Sequence, residues 1–286
     1  MKNNEQEFSV EKMCQVLKAS RSGYYLWKAV PVTKKMRAEA ELVNRILNIH
    51  RDSRETYGSP RIREELKKLG IRVSENRVAQ LMRGIGLRAK TKRKFKHTTN
   101  SKHQRPVSPN LLMIGDKVLP TQANEVWVGD ITHIRTAEGW LYLAVVLDLF
   151  SRRVVGWAMA NRIIAGLVVD ALLQAITHRG MAPLIFHSDR GSQYASLEFQ
   201  QVLQRHGIFG SMSGAGNCYD NAWSESYFHT LKTEHVYFEL YPTRDAARVS
   251  IFEYTEVFYN LVRSHSSLGY MSPAAFELAV VARLCG

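Results

Sequence analysis

Cysteine is scarce in this chain: Cys14, Cys218 and Cys285 are the only three in 286 residues, widely spaced and never in a C-x-x-C pair. That spacing fits neither a disulfide framework nor a cysteine zinc site, and the three read as free thiols. Long apolar runs are missing too. The nearest stretch, residues 141–160, is broken by charges and offers no membrane span of roughly 18 uncharged residues. The opening MKNNEQEFSVEKM holds early acids and no apolar run before small residues, so no export signal is read and a cytoplasmic protein is expected. Acid is absent from residues 88–105, where Arg88, Lys90, Lys92, Arg93, Lys94, Lys96, Lys102 and Arg105 stand unopposed. Little there could form a core, and the segment reads as a flexible basic tether suited to phosphates.

The charge present is unevenly placed. Residues 1–120 hold 27 Lys+Arg against 11 Asp+Glu, whereas residues 121–286 hold 12 against 15. A basic front half joined to a near-neutral back half implies a nucleic-acid grip feeding a separate worksite. The length suits one catalytic-sized domain with smaller modules.

In the front half, Ser9 is placed to cap a helix VEKMCQVLKA and Ser20 a second, RSGYYLWKA, with Met13, Val16, Leu17, Tyr25 and Trp27 available for packing. A helix over 34–52 follows, with Leu42, Ile46 and Ile49 at helical spacing. Ser59-Pro60 opens the next helix, Gly70 ends it, and Ser74 caps another that stops before Gly86. Two short capped helices of this kind make a helix-turn-helix. Its second helix would offer Glu75, Asn76 and Arg77 to base edges while Val78, Leu81 and Met82 face inward; a helical hairpin touching only protein is the alternative.

From Asn124 the pattern becomes that of strands: EVWVGDITHI, then LYLAVVLDLFSRRVVGWAMA with a turn at DLFSRR. A helix over 163–178 closed by Gly180, the apolar strand PLIFHSD, a helix over 196–206, a strand near 208–213 and a helix over 219–235 complete the order β-β-β-α-β-α-β-α. The fold class expected is α/β, a mixed five-stranded sheet flanked by helices and preceded by all-α helix-turn-helix modules. A long helix over 243–264 and a short last helix form the tail. The domain division read from this pattern is 1–33, a small helix-turn-helix-like module; 34–98, a second such module; 99–121, a basic linker; 122–240, the catalytic domain; and 241–286, a helical tail.

Three acids occupy positions a core would not choose freely. Asp130 interrupts an apolar strand, on the face of Val128 and Thr132. Burying it costs roughly several kcal/mol unless a cation or donor meets it. Asp189 ends PLIFHSD, at the carboxyl edge where open α/β sheets place ligands. Glu225 falls on a helical stripe with Asn221, Phe228 or His229, and Lys232, opposite a stripe of Ala222, Trp223, Tyr227 and Leu231 expected to pack on the sheet. Singly, each acid has an ordinary structural explanation: a bulge, a turn, a surface charge. Together they would form an all-oxygen pocket suited to Mg²⁺, two ions of which support in-line displacement at phosphorus.

The segments SRSGYYLW, YGSPRI, VWVGDITHI, HSDRGSQY, GNCYDNAWSESYFHTLKTE and YNLVRSHSSLGYMSPAAFE, in this order over nearly the whole chain, resemble the downstream-frame catalytic protein of two-frame bacterial insertion-sequence transposases, in the DDE retroviral-integrase superfamily. The resemblance implies an RNase H-like catalytic domain, a metal-binding triad of Asp130, Asp189 and Glu225, and two Mg²⁺ ions for which Mn²⁺ can substitute. It implies 35 residues between the second and third acids; here 35 lie between Asp189 and Glu225, against 44 for Glu234 and 30 for Asp220. It further implies double-stranded DNA as partner (element ends and target), a homo-oligomer on DNA, a nucleoid location, and fusion to an upstream-frame protein with a helix-turn-helix and leucine zipper. No sustained heptad pattern stands in this chain. The activity implied is 3′-end cleavage and strand transfer; the rival readings are a DNA-binding module without catalysis and, less fittingly, a two-carboxylate glycosidase.

Lys232, two turns beyond Glu225, is placed to touch a phosphate. His187, Ser188, Arg190 and Gln193 surround Asp189, but with His133 they form no zinc pattern. Asn217 and Asn221 suit either helix capping or DNA, and Arg263 and His265 either DNA or core packing.

Overall fold

The computed structural model describes residues 1–29, 33–90, 108–112, 120–214 and 222–285. Lys92, Arg93, Lys94 and Lys96, with Asn217, Cys218, Asp220 and Asn221, lie outside the described residues.

The back half of the chain is built on a sheet of order β3-β2-β1-β4-β5. Strands β1 (Val126–Thr136), β2 (Gly139–Asp148) and β3 (Val154–Ala160) form the antiparallel meander, and β4 (Ile185–Ser188) and β5 (Phe209–Met212) add in parallel beside β1. The period of two along these strands divides the core between two faces. Val126 and Val128 of β1, with Leu141, Leu143, Val145 and Leu147 of β2, face one layer. Trp127, with Ala144 and Val146, faces the other. The second layer is covered by α6 (Ala165–Arg179) and α7 (Leu197–Arg205), which supply the crossovers the two parallel pairings require. Gly180 takes the left-handed conformation that ends α6, at φ 66°, and Ser196 caps α7 by accepting the Phe199 N–H at 3.2 Å. This mixed sheet between helices is the RNase H-like architecture expected from the sequence.

The first layer is covered by α8 (Ala222–Glu234) and, from the tail, α9 (Arg244–Phe252), while α10 (Pro273–Cys285) ends the chain. The single long helix expected over 243–264 is not continuous: after α9 the chain runs as a π-helical segment from Glu253 to Tyr259. That segment buries Tyr254, Thr255, Phe258 and Tyr259 together.

In the front half, α1 (Val10–Val16) and α2 (Arg21–Ala29) precede α3 (Lys34–Asp52), α4 (Ser59–Lys68) and α5 (Glu75–Gly84). Ser9 and Ser74 cap as expected, accepting the N–H groups of Lys12 and Arg77, and Ser20 accepts that of Gly23. Packing of the first pair departs from the sequence reading. Met13, Cys14 and Tyr24 are buried, whereas Val16, Leu17, Tyr25 and Trp27 are exposed. The inward turn of α2 is set by Tyr24, whose hydroxyl donates to Glu5, itself paired with Lys28 at 2.6 Å. By contrast, Ile46, Ile62, Leu66, Val78, Leu81 and Met82 of α3–α5 are buried in the same continuous core as the first sheet layer. The tail carries that junction: the Ser264 N–H donates to the Tyr57 hydroxyl at 2.6 Å, and Arg54 pairs with Glu253 at 2.7 Å. Residues 108–112, within the stretch 99–121 read as a basic linker, lie along β5. Leu112 is buried, and the Leu111 N–H donates to Ser211 Oγ at 2.9 Å.

Candidate active site

The carboxylate of Asp130 projects from the middle of β1, opposite Val145 of β2. Its even-numbered position puts it on the face of Val126 and Val128, the face α8 covers. Asp189 follows the last residue of β4, the parallel neighbour of β1. The two strands thus deliver the first two acids side by side at one edge. Glu225 stands exposed in the first turn of α8.

The acids meet electrostatically. Burial and the charge of Asp189 push the Asp130 carboxyl well above its ordinary range, and the charge of Glu225 pushes it further. The Ile131 N–H, donating to Oδ1 at 2.7 Å, and the nearby Lys232 ammonium oppose that rise. Asp189 Oδ1 accepts the Gly191 N–H at 2.9 Å, which fixes the carboxylate over the turn after β4. Lys232 is half-buried; burial lowers its pKa and Asp130 alone resists the drop. Asp189, Glu225 and the Lys232 ammonium, from the end of β4 and from α8, therefore all act on Asp130 of β1. Among the described residues no three His, Cys, Asp or Glu side chains stand close enough to enclose an ion, so these acids meet through charge and not through a closed ligand shell. The donor set is all oxygen and like-charged, the chemistry a hard divalent cation neutralises.

The helical stripe bearing Glu225 differs in part from the one expected. Ser224, Tyr227, Phe228, Leu231 and Glu234 form the buried face of α8, so Phe228 belongs to the core and Ala222 is exposed. Glu225, His229 and Lys232 keep the outer stripe. Glu234 is excluded from it: its carboxylate is buried and takes Arg263 Nε at 2.7 Å and Nη2 at 2.6 Å, with the Tyr254 hydroxyl at 3.1 Å. Arg263, for which the sequence left DNA contact and core packing open, is thus buried and paired with Glu234. His187 is fully buried between Ser211 Oγ at 2.8 Å and Ser213 Oγ at 3.3 Å, a structural tie across β4 and β5.

The proposed DNA contacts scatter. Asn76 is exposed at the start of α5, while Arg77 is half-buried and paired with Glu39 of α3 at 2.7 Å. Arg88 is exposed, and the Lys90 ammonium lies 4.7 Å from the Phe238 ring centre. Sequence reasoning missed Tyr194, whose buried hydroxyl is pushed far up by desolvation and then by the charges of Asp130 and Asp189. Its place in HSDRGSQY was the available signal. It also missed that residues 133–140 and 232–242 enclose an open groove of about 820 Å³ leading away from Lys232. Among the described residues, no helix is long and apolar enough to cross a membrane.

Comparison with known proteins follows the same division. Residues 37–95 match a family model described as an HTH-like domain, and residues 120–218 and 206–273 match two models described as integrase core domains. A 31 kDa protein of insertion element IS600 from Shigella sonnei is 45% identical over 266 residues, 93% of this chain and 97% of that protein. The transposase InsF of insertion sequence IS3A from Escherichia coli K12 is 42% identical over 280 residues, 97% of this chain and 96% of the relative. Among solved structures, a simian T-cell lymphotropic virus intasome chain matches with TM-score 0.44 and 20% identity, over 75% of this chain and 70% of that one. The HTLV-2 integrase catalytic core domain in complex with magnesium matches with TM-score 0.40 and 20% identity, over 55% and 98% respectively.

Proposed function

The chain belongs to the insertion-sequence transposases with an integrase core domain, and on that premise we propose that it cuts the 3′ ends of its element and joins them to target DNA at Asp130, Asp189 and Glu225. The observation carrying this is that Asp130 feels the charges of both Asp189, at the end of the adjacent parallel strand, and Glu225, on the helix over the sheet. Asp130 and Asp189 would hold divalent metal between them and Glu225 would complete the second position, Mg²⁺ being the natural ion and Mn²⁺ a substitute. When bound, such ions make the attacking oxygen more nucleophilic and stabilise the leaving one. The protein's own contribution is placement. The Ile131 and Gly191 N–H groups orient the two aspartates, and Lys232 supplies a cation beside Asp130 for a strand phosphate. Duplex DNA would be held through Asn76, Arg77, Arg88, Lys90 and the basic run containing Lys92, Arg93, Lys94 and Lys96, with the division 1–33, 34–98, 99–121, 122–240 and 241–286 as its frame. Joining two ends calls for more than one protomer, and an upstream-frame partner would supply further end recognition.

The test is direct. The full chain is incubated with labelled duplex carrying candidate element ends, with Mg²⁺ or Mn²⁺, and products are resolved for nicking and strand transfer. Loss of both in Glu225→Gln and Asp130→Asn, with DNA binding kept, is the expected result. Full activity in either variant sinks the assignment.

A further inference from the structure

On the flank of α8 away from the acids is a polar cavity of about 370 Å³. It is walled by Arg61 of α4, Arg152 of the β2–β3 turn, Trp223 of α8, and Arg263, Ser266 and Ser267 of the tail. No acid lines it. The one carboxylate beneath, Glu234, is already engaged by Arg263 through two hydrogen bonds and by Arg61 at 3.5 Å. Two arginines share that single acid, and the third has none. Arg152 lies 5.6 Å from the Trp223 ring centre, and among the described residues its guanidinium has no hydrogen-bond partner or carboxylate within ion-pair reach. Burial accordingly depresses its pKa, resisted by Tyr259 and Asp148 at longer range. The backbone there is left-handed, with φ 61° at a residue that is neither glycine nor asparagine. A half-buried guanidinium at the wall of a polar cavity, with no carboxylate partner among the described residues, is placed to meet an anion.

We propose that this cavity is a phosphodiester-binding pocket that grips the DNA backbone through Arg152, with Arg61 and Arg263 beside it. Guanidinium forks and hydroxyls match the several oxygens of a phosphate better than the two of a carboxylate. Its walls come from the helix-turn-helix pair, the sheet and the tail together, so an occupant ties the DNA-reading module to the catalytic core. The first helix of such a pair crosses the DNA backbone, which is the position of Arg61 on α4. Trp223, Ser226 and Thr230 line the cavity from a stripe about a third of a turn around α8 from Glu225 and Lys232. One strand passing over α8 can thus be held on one side and cut on the other. The inference rests on the reading of the chain as a DNA-acting transposase, but not on which acids do the chemistry.

The experiment measures binding of the full chain to an end-containing duplex by fluorescence anisotropy, without divalent metal, across a salt series. Arg152→Asn, which tolerates the left-handed backbone, is compared with the unsubstituted chain. Ser267→Asp, at the exposed rim, keeps the comparison informative should the first variant fold poorly. One lost phosphate contact lowers the slope of log K against log salt by about 0.9 and weakens binding about eightfold at 0.1 M salt, alike for end and unrelated sequences. Inorganic phosphate is titrated in parallel, read by thermal denaturation. Reduced slope in either variant supports the pocket, including where Glu225→Gln still cleaves and the catalytic assignment alone fails. Unchanged slopes with phosphate protection lost in Arg152→Asn would assign the cavity to free phosphate and overturn the proposal. Unchanged slopes without protection, or no DNA binding by the unsubstituted chain, overturn it as well.

Discussion

Replacing Glu234 by Gln and Glu225 by Gln should give opposite outcomes, although both acids lie on α8. Glu234 is 8% exposed and Arg263 5% exposed at the side chain. Two charged hydrogen bonds, at 2.7 and 2.6 Å, join them, and Arg61 and Tyr254 attach to the same carboxylate. Burial pulls the Arg263 pKa down, but its bonds and attraction to Glu234 more than reverse this and hold the guanidinium charged. Removing the carboxylate charge leaves that cation stranded, which costs about 3 to 5 kcal/mol. Against a total stability of roughly 5 to 15 kcal/mol this is a severe loss. It corresponds to a fall in Tm of roughly 6 to 20 °C. Glu225 is exposed and its charge bears on Asp130, so Glu225→Gln should change stability by less than about 0.5 kcal/mol while abolishing end cleavage. Urea denaturation followed by circular dichroism measures the first quantity, and cleavage of labelled end DNA below the unfolding transition the second. Replacing Glu234 and Arg263 together by Met should recover most of the loss, since an apolar pair of similar volume is often as stable as a buried ion pair. A Glu234→Gln protein as stable as the unsubstituted chain refutes the reasoning about the pair. A Glu225→Gln protein that cleaves refutes the choice of third acid.

Lys232→Ala should slow end cleavage by on the order of tenfold or more, the loss of about one charged hydrogen bond to a reacting strand, with Lys232→Arg retaining part of it; equal cleavage rates in all three proteins would remove Lys232 from the site. A Cβ at Gly156 of β3 would fall on the Ala171 carbonyl oxygen and the Ala175 side chain. Gly156→Ala should therefore force α6 off the sheet and cost about 1 to 3 kcal/mol, seen as a lower unfolding midpoint. Burial, with Arg263, Arg61 and Arg152 around it, drives the His265 pKa from its ordinary 6.5 to about 2. Below pH 6.5 the unfolded chain takes up a proton that the folded chain refuses, so stability present above that pH falls as the solution is acidified. The slope from this group is at most about 1.4 kcal/mol per pH unit. Unfolding free energies at pH 7, 6 and 5 should show it, and His265→Gln should flatten it; identical profiles would contradict the assignment.

Much of the chain was legible because its signals are local. Ser9, Ser74 and Ser196 act through N–H groups three residues on, and Gly180 through its own φ, so a sequence window contains both partners. Asp130 was legible because alternation along one strand assigns its face. What stayed hidden depends on partners far along the chain. Periodicity gives the face of α8 on which Glu234 lies but not its depth, which is set by Arg263 from the tail and Arg61 from α4. The same long reach explains Tyr24 displacing Tyr25 as the inward residue of α2, since Glu5 lies before α1. Arg77, expected at base edges, is paired with Glu39 on α3 for the same reason.

These hidden partners converge on α8, which explains why one helix could be misread on one stripe and read correctly on another. Its outer stripe, Glu225, His229 and Lys232, meets solvent and the strand acids, and polar residues at i, i+4 and i+7 declare it. Its buried stripe mixes Ser224 and Glu234 with Tyr227, Phe228 and Leu231, so hydrophobicity alone places the boundary wrongly. The third stripe, Trp223, Ser226 and Thr230, is neither core nor open surface but one wall of the arginine cavity. A helix that holds an exposed acid beside Asp130, a buried ion pair and one wall of an arginine-lined cavity on three sides has little freedom to rotate. A rotation that improved any one stripe would break the other two, so α8 is fixed by competing demands rather than by amphipathicity. The consequence is that variants of the buried stripe should disturb cleavage through the angle of Glu225 even where they touch no DNA.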